Sequence, residues 1–449
     1  MGGLMAFECL LVSTNRVVTP FPVYPLGVAH LLGALEEAGY PARHYDLLAG
    51  DGLAGLAALL TDREPGLIGL SIRNLDTVDS TAPDTFMAGV VETVALIRRY
   101  SRAPLVLGGP AFSIMPETIM ALLQADYGVV GEGEQLLPWL VAELAAGRQP
   151  SQRILRARPG ATEWHKVVYD QAIADHYLAR GGMLNIQTKR GCPYRCSYCS
   201  YPVLEGKTYR FRDPAEVAAE VMRVGGEYGA KCIFFTDSVF NDSQGHYLEV
   251  AEALIRAGNK TPWCGYFRPQ HLTAEGLALM KRAGLSAMEL GSDAGCDATL
   301  AGLRKDFTFA EVIRVNELAV AGNVPCAHFV IFGGPGETRQ TLAEGLANID
   351  KLANTVVFAF TGVRVLPGTA MHQRAIDDGV LAPDHSLLEP FFYFSPQLDQ
   401  RELDRTIRAA WQGRFDRIYP ASGLQERVTR LHSKGHVGPM WDMLIHKRR

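Results

Sequence analysis

The sequence predicts an α/β protein of two parallel sheets in tandem, and three observations predict it. Short apolar runs alternate with helical stretches twice along the chain, and the second series opens with three cysteines inside eight positions. The 449 residues are two to three times the ~150 that one domain takes. Composition agrees, with 47% apolar and 20% charged residues and no low-complexity tract, as in folded enzymes and not in disordered chains. Forty-four Lys and Arg against 48 Asp and Glu leave a net charge of -4, which gives no global pull toward nucleic acid or an anionic membrane. Neither is expected as a partner. No run reaches the roughly 18 to 20 uninterrupted apolar residues of a membrane span. The opening MGGLMAFECLLVSTNR lacks a basic stretch ahead of its apolar run, so a first buried strand is expected there and not a signal peptide. Eight cysteines are too sparse for a disulfide scaffold, and a cytoplasmic location is expected.

Residues 1–150 read as CLLVST, PLGVAHLLGALEEAG, ARHYDL, GLIGLSI, AGVVETVALIRRY, PLVLGG and YGVVGEGE followed by QLLPWLVAELA. Continuous apolar strands separated by crossover helices mark a doubly wound sheet covered on both faces. A five-stranded Rossmann-like domain is expected. Such sheets bind ligands outside the carboxyl ends of their strands, here at Thr14 and Asn15, Arg73 and Asn74, Gly108 and Gly109, and the Gly131-Glu132-Gly133-Glu134 loop. Paired glycines admit a bulky or phosphate-bearing ligand, or simply close tight strand-to-helix turns.

Residues 151–182 begin polar and irregular and read as a linker. Residues 183–380 hold a second alternating series with strands in MLNIQTK, CIFFTD, PWCGYFR, AMELGSD, CAHFVIFG and VVFAFTGVRV. Six β/α repeats are too few for a closed eight-fold barrel and predict an open (β/α)6 version, with chemistry at the carboxyl ends of the strands. Residues 381–449 are expected to form a short helical C-terminal extension.

TKRGCPYRCSYCSYP places Cys192, Cys196 and Cys199 in a C-x3-C-x2-C array just after the first strand of the second series. Three thiolates from one loop suit three corners of a four-iron cluster and leave one iron open. A structural zinc ordinarily takes four protein ligands, and Cys9, Cys232, Cys264, Cys296 and Cys326 are isolated.

The array, with Tyr198 just before its last cysteine, resembles the cluster loop of the radical S-adenosylmethionine (SAM) superfamily, whose partial barrel the six repeats also resemble. The resemblance implies a [4Fe-4S] cluster, SAM chelated to the open iron, an electron donor, and a 5′-deoxyadenosyl radical that takes hydrogen from a small polar substrate. HFVIFGGPGET resembles the superfamily's fifth-strand motif and implies Gly333, Gly334 and Glu337 on the adenine side. ELGSDAG resembles the fourth-strand pattern with Gly291 kept, Asp293 in place of Glu and Ala294 in place of Ser. TDSVFN ends the second strand, so Asp237 and Ser238 are candidates for the SAM ammonium, and Arg304 is a candidate for its carboxylate, which a guanidinium can grip with two bonds.

The two halves together resemble the cobalamin-binding-domain class of that superfamily, which implies cobalamin as a possible cofactor and methylation of unactivated carbon as one reaction. The D-x-H-x-x-G loop that would ligate cobalt is absent after the first strand. If cobalamin binds, Arg73 would face the cobalt and Gly108 and Gly109 would border the nucleotide tail. Chain layout and the TKRGCPYRCSYCSYP and TDSVFN segments also resemble the radical SAM diol-dehydratases of aminoglycoside antibiotic biosynthesis, and radical dehydration of an aminosugar diol is the expected reaction. Such a site needs acid/base groups and carboxylates for ammonium groups. Asp237, Glu289 and His328 are the catalytic candidates, with Tyr209, Tyr266 and Arg268 able to bind hydroxyls.

Overall fold

The computed structural model describes residues 7–18, 21–158 and 164–445. Parts of the opening segment, of the loop after the first strand, of the linker and of the C-terminal extension lie outside them.

Strands β1 (Cys9–Ser13), β2 (Ala42–Asp46), β3 (Leu67–Ser71), β4 (Leu105–Gly108), β5 (Tyr127–Val130) and β6 (Ile154–Arg156) form one parallel sheet in the order β2-β1-β3-β4-β5-β6. The apolar runs are continuous because both faces are covered. Leu10, Val12, Ile68 and Leu70 belong to the core that includes helix Met87–Tyr100, while Cys9, Leu11 and Val106 pack with helix Leu26–Glu37. The sheet has six strands where the sequence predicts five. The sixth lies in the expected linker, and three residues among polar neighbours are too short a run for a periodicity signal. Residues 166–168 of the linker strap the first helix. Val168 N donates to Ala29 O at 3.1 Å, and the Lys166 carbonyl comes so close that a Cβ on Gly33 would lie 1.7 Å from it.

The second series begins with β7 (Met183–Ile186). A short antiparallel pair, β8 (Lys189–Arg190) and β9 (Arg210–Phe211), brackets the cysteine loop. Then follow β10 (Cys232–Phe235), β11 (Trp263–Phe267), β12 (Leu285–Asp293), β13 (Cys326–Phe332) and β14 (Val356–Thr361), the small pair β15 (Val363–Arg364) and β16 (Phe392–Tyr393), and β17 (Arg417–Ile418). The parallel sheet runs β17-β14-β13-β12-β11-β10-β7. All six expected strands are present, and the C-terminal extension, expected to be helical only, adds a seventh at the β14 edge. Crossover helices start on local signals. Asp213 caps helix Pro214–Gly226 with proline at its first position, and Thr308 with Glu311 forms a reciprocal capping box.

The extension also fills the lower bore of the barrel. Leu424, Val428, Met440, Trp441 and Leu444 pack with Met183, Cys232, Phe234, Cys264 and Phe358 on the inward faces of the strands. The Trp441 ring lies 5.3 Å from that of Phe358. Among the described residues no helix is long and apolar enough to cross a membrane.

The two sheets are locked together by polar contacts. The fully buried Arg364 pairs with Asp76 at 2.7 Å, and Arg190 pairs with Glu134 at 2.6 Å and Glu132 at 3.2 Å. Arg210 also pairs with Glu132. Tyr177, on helix Gln171–Leu178, donates to Asp46 at 3.2 Å.

Candidate active site

The cysteine loop is anchored at its base. Gly191 has φ +86°, and a Cβ there would lie 2.0 Å from the Thr208 carbonyl, so only glycine lets the outgoing and returning strands approach this closely. Cys192 N donates to Gly206 O at 3.1 Å, Ser197 N to Leu303 O at 2.9 Å, and Met371 N to Ser197 O at 2.7 Å. All three cysteines are free thiols. Burial pushes the Cys199 thiol up to about 12, and the nearby Cys196 and Cys192 add to the shift. Among the described residues no three His, Cys, Asp or Glu side chains form a compact group for a single metal ion. A four-iron cluster takes its three thiolates at three separate corners, and the donor set fits it.

Beside the loop sits a polar knot that the sequence places only in part. Tyr198 Oη donates to Asp293 Oδ1 at 2.6 Å. Lys305 Nζ lies 2.5 Å from Asp293 Oδ2, 3.1 Å from Cys196 Sγ and 3.3 Å from Tyr198 Oη. Asp293 and Arg304 both have positive φ, +59° and +56°, and the left-handed turn at Arg304 sends its side chain outward and that of Lys305 inward. Arg304 is exposed, and the structure gives its side chain no partner. Its neighbour Lys305 is the cation that faces the cysteine loop, and the sequence hides it because nothing in GLRKDF says which of two adjacent cations faces in.

Other expected residues divide sharply. Ser238 belongs to the loop, its Oγ donating to Gly191 O at 3.2 Å. Gly291 lies on the rim beside Asp293, whose Oδ2 would be 3.5 Å from a Cβ there. Asp237 does not receive an ammonium group from a ligand. Fully buried, its carboxylate accepts from Thr188 N at 2.7 Å, Thr188 Oγ1 at 2.5 Å and Lys189 Nζ at 3.2 Å, and so braces the strand beneath the cysteines. His328 is a core residue and not a catalytic one. Its Nδ1 is 2.7 Å from Ser292 Oγ and its Nε2 3.1 Å from Asn316 Oδ1, and burial drops its pKa to about 3. Glu337 turns back into its own loop. It accepts from Gly333 N at 3.1 Å and Thr341 Oγ1 at 3.0 Å, and burial pushes it up to about 7. Gly333 has φ +84° and lies against Phe394 and Leu403, while Gly334 lies against Leu303 and Val363. Arg268 is tied to Asp306 and Gln270 and stacks 3.5 Å above the Tyr194 ring.

The exposure of two tyrosines and the charges they feel point to a chamber between the cysteine loop, the bore and the first sheet. Tyr266 keeps 41% of its surface open although it faces inward from a central strand. Its phenol is pushed up by desolvation and then by Glu289, Tyr201 and other neighbours, with Arg73 acting in the opposite sense. Tyr201 is likewise 36% open and feels Glu205, Cys199 and Arg73. These two rings therefore border a space enclosed by protein. Glu289 sits at its floor, paired in register with Tyr266, and burial pushes its carboxyl up to about 8. The Trp441 indole is the donor beside it and pulls the carboxyl down against the effect of burial, but among the described residues neither Glu289 Oε1 nor Trp441 Nε1 makes a hydrogen bond of good geometry. Arg73, half-buried just beyond β3, makes no hydrogen bond or ion pair among the described residues, and it is near enough to lower the phenols of Tyr201 and Tyr266.

The edge of the first sheet is divided in use. Glu132 and Glu134 are held by Arg190 and Arg210, so their loop is not a free ligand loop. Gly109, with φ +94°, is required because a Cβ would lie 2.5 Å from the Ile72 carbonyl. At Gly108 a Cβ would meet nothing nearer than 3.9 Å. The edge at β3 and β4, where a side chain at Gly108 would find space and the half-buried Arg73 stands, would fit a corrin cofactor.

Residues 12–141 match the B12 binding domain and residues 186–347 the radical SAM superfamily. The chain is a radical SAM protein of the class that carries a cobalamin-binding domain, and [4Fe-4S] and SAM are its cofactors, with cobalamin supported. Among its relatives is the tryptophan 2-C-methyltransferase of Streptomyces laurentii, 25% identical over 453 residues, covering 82% of this chain and 75% of that enzyme. The structure of the radical SAM methyltransferase TsrM from Kitasatospora setae with cobalamin and [4Fe-4S] bound superposes with TM-score 0.84 at 26% identity, covering 98% of this chain and 97% of that one. The same enzyme with tryptophan and aza-SAM gives 0.85 at 25%, covering 98% of each.

Proposed function

We propose that this enzyme acts on a small amine-bearing molecule held in the chamber, and that it methylates an unactivated carbon with cobalamin seated on the first sheet. The observation that carries the reading is that Arg73 at the edge of the first sheet, Tyr201 beside the cysteine loop, and Tyr266 with Glu289 on the second sheet lie close enough to perturb one another's charge. Likeness to a tryptophan methyltransferase over nearly the whole chain supports methyl transfer in place of the dehydration expected from sequence. When bound, the cluster with SAM supplies electron transfer and radical generation, and cobalamin supplies methyl transfer. The chain's own part is to hold the cluster through Cys192, Cys196 and Cys199, to present Asp293 and Lys305 to SAM, and to close the chamber against water with Tyr201, Tyr266 and Trp441. Glu289 Oε1 would accept from a substrate ammonium, and that cation would ionise the carboxyl.

Glu289 itself favours a second reading, radical dehydration of an aminosugar diol of an aminoglycoside pathway. A carboxyl held near neutrality can take a proton from a hydroxyl and return one to a departing hydroxide. The test is anaerobic reconstitution with iron and sulfide, with and without cobalamin, followed by desalting and incubation with L-tryptophan and, in parallel, an aminoglycoside fragment. One corrin retained per chain and a product heavier by a methyl group support the first reading. A corrin-free protein that cleaves SAM and yields a deoxygenated aminosugar replaces it with the second. Absence of SAM cleavage from cluster-loaded protein overturns both.

A further inference from the structure

Lys305 has three N–H donors and three acceptors around it: Asp293 Oδ2 at 2.5 Å, Cys196 Sγ at 3.1 Å and Tyr198 Oη at 3.3 Å. Its side chain is 6% exposed, and its ammonium lies 5.1 Å above the Tyr198 ring. The backbone fixes this direction. Lys305 N donates to Leu300 O at 2.9 Å just after the left-handed Arg304 and closes the turn, and Ser197 N donates to Leu303 O and ties that turn to the cysteine loop. A buried cation bonded both to one of three cysteine sulfurs and to a carboxylate is more than SAM binding requires.

We propose that Lys305 sets the reduction potential of the cluster by donating a charge-assisted hydrogen bond to the sulfur of Cys196. The proposal rests on the three cysteines holding a [4Fe-4S] cluster. One electron arrives from an external donor, no bond forms or breaks, and the cluster gains one negative charge. A cation a hydrogen bond away from a ligand sulfur, shielded from water, stabilises that extra charge more than it stabilises the oxidised state. Asp293 opposes Lys305 in part and holds it in place. Tyr198 donates to the other carboxylate oxygen, which draws some of that negative charge away from the lysine. SAM is not needed for any of these contacts, so the effect belongs to the SAM-free enzyme.

The test is a potentiometric titration of the reconstituted, SAM-free full chain with dithionite, read by electron paramagnetic resonance. Lys305→Met is expected to lower the reduced fraction at a fixed potential at least tenfold, a downward shift of about 59 mV for a one-electron couple. Asp293→Asn, which removes the opposing charge, is expected to shift the potential upward. Lys305→Met protein with full iron and sulfide content and an unchanged or higher potential overturns the proposal. If Lys305→Met does not load its cluster, Asp293→Asn decides: a rise supports the proposal and an unchanged or lower value overturns it. A parent protein that loads no cluster at all overturns instead the reading on which the proposal rests.

Discussion

At the carboxyl edge of the first sheet the acidic residues end in bonds to the rest of the chain: Asp46 to Tyr177, Asp76 to Arg364, Glu132 and Glu134 to Arg190 and Arg210. At the carboxyl edge of the second sheet the polar residues gather around the three cysteines, and some stay open: Glu289 Oε1 has no partner and Tyr266 keeps two fifths of its surface free. Both edges obey the rule that parallel sheets present their working face where the strands end. The difference teaches that polar residues at such an edge mark a ligand site only where no neighbouring domain has taken them up.

That contrast can be broken most decisively at the cysteines. Replacing Cys192, Cys196 or Cys199 with Ala is expected to bring iron content and 5′-deoxyadenosine formation to background, whereas Cys232→Ala, in the packed floor of the bore, leaves SAM cleavage largely intact. Cleavage retained in the triple variant would remove the chemistry from this loop.

The next effect is on the grip of the first sheet. Arg364→Ala strands Asp76, both partners being almost fully buried, and is expected to cost about 3–5 kcal/mol. Denaturant unfolding measures it. Arg339→Ala, removing a partner whose side chain is 78% exposed, is expected to cost under about 1 kcal/mol. Equal losses in the two variants would mean that the first pair is not buried in solution.

Glu289 sharpens the open side of the comparison through pH. Its carboxyl is raised from 4.5 to about 8 by burial, so the folded chain binds its proton more tightly than the unfolded chain does. Stability from this group is complete below pH 4.5 and is lost as pH rises toward 8. Glu289→Gln cannot ionise and should raise the melting temperature relative to the parent at pH 8, by the equivalent of on the order of a few kcal/mol, but not at pH 5. A difference that does not change with pH sinks the assignment. The smallest effect belongs to Arg304→Ala. It should alter stability by no more than about 0.5 kcal/mol and spare SAM binding, measured calorimetrically, while Lys305→Met weakens it.

The architecture was legible wherever runs were long enough to carry a period. The six barrel strands and the cysteine loop follow from apolar runs and spacing alone. The three residues of β6 and the two of β17 do not, because pairing with a longer neighbour makes them strands and nothing intrinsic to Ile154–Arg156 or Arg417–Ile418 announces it. At the site, Ser238 and Asp293 both touch the cysteine loop, to which their motifs drew attention. Asp237 and His328 carry the right chemistry at strand ends, yet their partners Thr188, Lys189, Ser292 and Asn316 are distant in sequence, and only the assembled core shows that they are used up. Lys305 was hidden by a single left-handed residue. Trp441 stands in a tail without a motif, and its role as a neighbour of Glu289 exists only after the tail has entered the bore.

The closed floor of the bore has a consequence for biosynthesis. Ribosomes deliver the first sheet, the cysteine loop and all six β/α repeats before they deliver Arg417–Ile418 and Trp441–Leu444, the segments that finish the β14 edge and the floor. Until then the nascent barrel shows Phe358 and Cys264 to water along with an unpaired strand edge, a surface prone to sticking to other chains. A chain stopped at Gln412 would therefore own every cluster ligand and still be a poor enzyme, because the floor of its bore and the partner of its β14 edge would be missing.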